Sequence, residues 1–69
     1  MVRLRLKQVL KEKDISMGRL SRLSDVSYST IARICNDEHY SPSLAILERL
    51  ARALSVHISD LYEEVAETK

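Results

Sequence analysis

This 69-residue sequence predicts a compact all-α domain of five short helices. Three observations carry that reading. Aliphatic residues recur at helical spacing along most of the chain. One glycine and one proline are the only strong breakers, and phenylalanine and tryptophan are absent. Serines also stand immediately before successive apolar-periodic segments, at Ser16, Ser27, Ser43 and Ser59, where a hydroxyl can accept from the free N–H groups of a helix start. A chain of this length is expected to make one domain over residues 1–69, with a modest core and little stability margin.

The N-terminal residues admit two readings. Val2, Leu4 and Leu6 alternate with Arg3 and Arg5 in the period of a strand. Residues 1–5 are therefore either a short edge strand, whose open backbone edge could pair with a second copy, or the frayed start of the first helix. That helix is expected over about residues 4–13, with Leu6, Val9 and Leu10 inward. The second runs over about 17–24 and the third over about 28–36, with Leu20, Leu23, Val26, Ile31 and Ile34 on their apolar side. The break at Ser24-Asp25 is a tight turn that needs one left-handed residue. Aspartate tolerates that conformation second only to glycine, and Asp25 is placed to adopt it. Residues 37–42 form a polar loop in which Pro42 keeps Ser41 out of helical geometry. Ser43 then caps a fourth helix over about 44–54, whose stripe is Leu44, Leu47, Leu50, Ala51 and Leu54. Ser59 opens a short fifth helix from which Leu61 reaches the core while Tyr62 and Val65 stay outside, and an acidic tail over about 65–69 frays.

Composition excludes several classes of function. No apolar run approaches the ~20 residues a membrane-spanning helix requires, and no signal-peptide segment follows the charged N-terminus, which predicts a cytoplasmic protein. A single cysteine cannot close an internal disulfide, and His39 and His57 alone give no spaced ligand set, so neither a metal nor a cofactor is expected. Cys35 reads as a small, partly buried filler rather than a redox-active thiol. Asp14, Ser16 and the two histidines assemble no nucleophile, base and orienter, and there is no glycine-rich phosphate loop, so no enzyme is expected.

The net charge of +1 conceals an uneven distribution. Residues 1–35 hold eight basic side chains against three acidic ones, and residues 36–69 hold three against seven, giving halves of +5 and −4. Such a dipole suits oriented approach to a polyanion, although two ordinary solvated helix faces would give the same count.

Residues 15–36 combine two short helices, a tight turn, and small polar residues opening the second helix. That is the pattern of a DNA-binding helix-turn-helix. Around it stand Leu6-Lys7-Gln8-Val9-Leu10-Lys11-Glu12-Lys13, then Leu20-Ser21, then Val26-Ser27-Tyr28-Ser29-Thr30-Ile31-Ala32-Arg33-Ile34. Ser41-Pro42-Ser43-Leu44 and Leu50-Ala51-Arg52-Ala53-Leu54-Ser55-Val56 follow. In this order and spacing, the run from Leu6 to Leu61 resembles the Cro and lambda-repressor type of helix-turn-helix domain, the XRE-like family. The resemblance implies a prokaryotic or phage transcriptional regulator, a repressor or autoregulator, with double-stranded DNA as its partner. It also leaves a second class open, an antitoxin or other protein-interaction module of the same fold with a toxin or other protein as partner. The sequence departs from the family pattern at Met17, where many relatives carry glutamine, at Asp25 and Asp37, where they carry glycine, and at Cys35, where they carry glutamate. Gly18 is either a tolerated surface glycine or a point of close backbone approach to DNA.

Helical phase and the family pattern turn Tyr28, Ser29, Ala32 and Arg33 toward base edges in the major groove and Ile31 and Ile34 inward. Arg33 suits either a bidentate guanine contact or a phosphate, and Ala32 a thymine methyl. Ser29 can donate or accept. Tyr28 can bond a phosphate, stack on a sugar edge, or pack along Arg33 or the second helix. Backbone N–H groups at the helix starts near Ser16, Met17 and Ser27 are placed to hold phosphates. The family pattern adds Asn36, His39 and Tyr40. One module reads few base pairs, so a homodimer on inverted half-sites about 34 Å apart is expected. Ile46, Ile58, Tyr62 and Val65 are the interface candidates, though each could instead join the core, Ile58 above all.

Overall fold

The computed structural model describes residues 2–37 and 40–64. In order they form β1 (Val2–Leu4), α1 (Leu6–Lys13), α2 (Met17–Ser24), α3 (Tyr28–Asn36), α4 (Leu44–Leu54), one 3-10 turn (Ile58–Leu61) and β2 (Tyr62–Glu64). Serine hydroxyls start three of the helices as their positions predict. Ser16, Ser27 and Ser43 accept from the N–H groups of Arg19, Thr30 and Ile46 at 3.1, 3.3 and 3.2 Å.

The strand reading of the N-terminus holds, but its partner lies within the chain. β1 pairs antiparallel with β2 in the register Val2 to Glu64, Arg3 to Glu63 and Leu4 to Tyr62. Arg5 N–H continues the connection by donating to Leu61 O at 2.8 Å. With Leu4 committed to the ribbon, α1 starts at Leu6, two residues later than expected.

The expected fifth helix becomes the 3-10 turn, leaving four α-helices and a two-strand ribbon among the described residues. His57, not Ser59, stands at the N-cap, where its N–H donates to Asp60 Oδ2 at 3.1 Å. The turn closes after four residues because Tyr62 is already extended and paired with β1. Leu61 is fully buried as expected, whereas Tyr62 is half-buried in the ribbon rather than outside it.

Eleven apolar side chains form one buried cluster: Leu6, Val9, Leu10, Leu20, Val26, Ile31, Ile34, Leu50, Ala51, Leu54 and Leu61. α2 packs on α3 and α4, α3 also on α1, and the 3-10 turn on α4 and α1. Three predicted stripe residues lie outside the cluster: Leu47 is half-buried against it, while Leu23 and Leu44 are exposed at 53% and 68%. In α2 the inward positions are Leu20 and, one turn on, the buried Ser24. Leu23 lies about 60° around the helix from Leu20, on the side away from Ser24. Leu44 is the first residue of α4, one turn ahead of the residues that pack.

α1, α2 and α4 end without glycine. Asp14, Asp25 and Ser55 are left-handed, with φ of 55°, 59° and 57°. After α1 and α4 the next residue closes a six-residue loop, Ile15 N–H donating to Leu10 O and Val56 N–H to Ala51 O, both at 3.0 Å. Ile15 and Val56 then pack against the core, the apolar contact that accompanies this kind of helix stop. Asp25 makes the simpler stop, its N–H donating to Ser21 O at 3.0 Å, and so fills the role its place in the turn predicts.

Candidate nucleic-acid interface

The turn between α2 and α3 is fastened by two hydroxyls. Ser21 Oγ donates to Val26 O at 2.7 Å. Ser24 Oγ donates to Leu20 O at 2.6 Å and accepts from Val26 N–H at 3.3 Å. Both backbone groups of Val26 are thus satisfied while its side chain is buried in the same core cluster as Leu20 and Ile31. Sequence reasoning read Ser24 only as part of the break. The signal lay in the chemistry of serine, which can bond backward to a helix carbonyl and forward to a turn N–H at once.

α3 stands on this base with one face buried and the other open. Ile31 and Ile34 are in the core, while Ser29, Arg33 and Asn36 are exposed and Tyr28 is 53% exposed. Ala32 is half-buried. Ser27 Oγ, besides capping Thr30 N–H, lies 2.8 Å from Thr30 Oγ1 and 3.4 Å from Ser29 Oγ, so the first turn of α3 is a chain of hydroxyls. No acidic residue occupies the first turn of α2 or α3, and the positive end of each helix dipole is left for an outside anion. The ring that packs along Arg33 is that of Tyr40, with the guanidinium carbon 4.8 Å from its centroid. Tyr40 N–H donates to Asp37 O at 3.0 Å, which ties Tyr40 to the end of α3. His39 and Val65 lie outside the described residues.

A family model described as the Cro/C1-type HTH DNA-binding domain matches residues 5–67. The chain belongs to that family. It is 32% identical over 69 residues to the HTH-type transcriptional regulator SinR of Bacillus subtilis (strain 168) and, at the same identity, to SinR of Bacillus licheniformis. The matches take in the whole of this chain and 62% of each relative, so the chain spans about three fifths of the length of the curated relatives it matches. A crystal structure of a candidate DNA-binding protein from Bacteroides fragilis superimposes with a TM-score of 0.78 at 33% identity, covering 91% of this chain and all of that one.

Within this Cro/C1-type domain, a shallow groove gathers residues the sequence could only place on separate elements. Ser16, Met17, Tyr28 and Asn36 line it together with Lys7 of α1, Gly18 and Cys35. Lys7 was not singled out, because a lone basic residue on an amphipathic helix carries no signal of what it will face. Met17 packs its side chain against the core. A Cβ built on Gly18 meets nothing within 4 Å, so the fold itself does not require glycine there. Cys35 is half-buried as expected, and burial raises its thiol above the ordinary cysteine range while Lys7 pulls it partway back.

Of the basic residues in the N-terminal half, Arg3 is paired with Glu63 of the acidic half across the ribbon. Lys7, Lys11, Lys13, Arg19, Arg22 and Arg33 keep the helix-turn-helix half basic. Of the interface candidates, Ile46 and Ile58 are half-buried against the core, and Tyr62 lines an open apolar groove with Val2, Leu4, Tyr40, Pro42 and Leu47. Among the described residues no cluster of His, Cys, Asp and Glu could hold a metal ion, and no helix is long and apolar enough to cross a membrane.

Proposed function

We propose that this chain is a sequence-specific transcriptional regulator, a repressor or autoregulator, that reads double-stranded DNA by inserting α3 into the major groove. The observation that carries the reading is the two-sidedness of α3. Ile31 and Ile34 anchor it through the core, and Tyr28, Ser29 and Arg33 stand exposed along the opposite side. A helix fixed on one side and polar on the other, with its N-terminus free of acidic residues, is what direct readout needs. In this reading Tyr28, Ser29, Ala32 and Arg33 meet base edges. Ser16, Met17, Ser27 and Asn36 meet phosphates, and Lys7 adds a cation beside them.

One such module reads only a few base pairs, so the chain acts as a homodimer on an inverted repeat. Selection of randomised duplexes by the purified protein at two salt concentrations, with the mass of the complex measured alongside, tests both parts. The expected result is an inverted repeat bound at dimer mass, with affinity falling steeply as salt rises. Arg33→Ala and Tyr28→Ala are expected to weaken binding to that repeat by about five- to a hundred-fold each while leaving the domain folded. Retention that is neither sequence-selective nor salt-sensitive would remove the DNA reading and direct attention to a protein partner.

A further inference from the structure

The contact between Arg33 and Tyr40 does more than cover a ring. Arg33 is exposed in the last turn of α3, on the same side as Ser29 one turn earlier, and its guanidinium lies over the Tyr40 ring. Tyr40 is held independently of Arg33. Its N–H is bonded to Asp37 O, and its half-buried ring packs against the core and lines the apolar groove with Leu4, Pro42 and Leu47. An arginine side chain free in solvent has many rotamers and loses that freedom when it binds. One held against a fixed ring has lost much of it beforehand, and because Arg33 stays exposed, its donors remain within reach of a partner. A planar fork held in one orientation suits the paired acceptors O6 and N7 of guanine.

We propose that Tyr40 is a positioning residue for sequence readout, holding Arg33 so that its edge donors meet one guanine in each half-site. The inference rests on α3 entering the major groove, and it moves Tyr40 from the phosphate contacts to a role exerted through Arg33. The stack forms before DNA arrives. Its loss therefore affects one position of the recognised sequence and leaves the sequence-independent attraction to the duplex intact.

The test compares base preferences of the full chain carrying Tyr40→Leu, Tyr40→Phe, Arg33→Lys and Arg33→Ala in the same selection, with affinities for an unrelated duplex at two salt concentrations. Tyr40→Leu is expected to lower affinity for the selected site by about two- to five-fold and to level the preference at one position per half-site. Its binding to the unrelated duplex and the salt slope stay as in the parent. Tyr40→Phe keeps the ring and restores the preference. Arg33→Lys keeps the charge without the fork and, without touching the loop, levels the same position. In the free protein, the NMR signals of the Arg33 side chain are displaced by the ring in the parent and in Tyr40→Phe, and return to ordinary values in Tyr40→Leu.

An even loss across all positions for Tyr40→Leu, or a Tyr40→Phe variant that behaves like it, would overturn the positioning role. So would unchanged preference in Tyr40→Leu while Arg33→Ala alters one position, which leaves the reading of α3 standing. If Arg33→Ala and Arg33→Lys both bind with the parent's preferences, the base-reading role of Arg33 falls and the inference falls with it.

Discussion

The helix-turn-helix and the terminal ribbon are the two parts of this small domain that fix its shape, and they do so over very different sequence distances. In the first, the decisive bonds are short-range. Ser16 to Arg19, Ser27 to Thr30, Ser24 to Val26 and Ser21 to Val26 all join residues within five of one another. In the second, Arg3 meets Glu63 across 60 residues, and Arg5 reaches Leu61 through the backbone. The part that faces DNA in our proposal is specified by its own residues. The part that ties the ends together forms only once the helices have brought those ends within reach.

Substitutions can break or sharpen that contrast. The largest effect is expected at the buried contact between α2 and α3. Leu20→Ala or Ile31→Ala should destabilise the domain by about 2–5 kcal/mol in urea unfolding, because a fully buried aliphatic side chain leaves a cavity. Ser24→Ala comes next. It strips the buried turn of a hydroxyl that both donates and accepts, at a cost of about 1–3 kcal/mol. Accelerated amide exchange at Val26, ahead of the other buried amides, would show that the lesion is local.

Ser55→Gly should act in the opposite direction. It relieves a left-handed non-glycine residue and raises stability by about 1 kcal/mol by thermal unfolding, with a smaller gain for Asp25→Gly because aspartate tolerates that conformation better. The smallest effect belongs to the ribbon pair. Arg3 and Glu63 side chains are 49% and 40% exposed, so Arg3→Ala should cost less than about 0.5 kcal/mol. A loss as large as that of Ser24→Ala would mean that the ribbon is as decisive as the turn.

The same contrast explains what could be read from the sequence. The bounds of α2, α3 and α4 were legible because each has a serine cap next to its first residue, and the left-handed Asp25 because a tight turn demands it. The ribbon was half legible. Val2 and Leu4 alternate with Arg3 and Arg5, but Tyr62, Glu63 and Glu64 carry no strand pattern, and nothing local announces a partner 60 residues away. At the candidate site, helical phase placed Tyr28, Ser29 and Arg33 outward. The arrival of Lys7 beside Asn36, and of Tyr40 beneath Arg33, depends on how elements dock, which periodicity does not encode. Leu23 and Leu44 mark the complementary limit, apolar residues that the sequence pattern assigns to a stripe but that docking of the helices leaves uncovered.

Because Val2 lies opposite Glu64 in an antiparallel pair, the two ends of the described chain are close enough to be joined by a hairpin linker of about four residues. The chain could then be reopened between the exposed residues Ser41 and Ser43, ahead of α4. In such a circular permutant the 3-10 turn, β2, the linker and β1 become consecutive, and the longest-range pairing in the domain turns into its most local one. Lower contact order speeds folding. A permutant that folds faster than the parent around an unchanged helix-turn-helix would identify pairing of β1 with β2 as the slow step of folding.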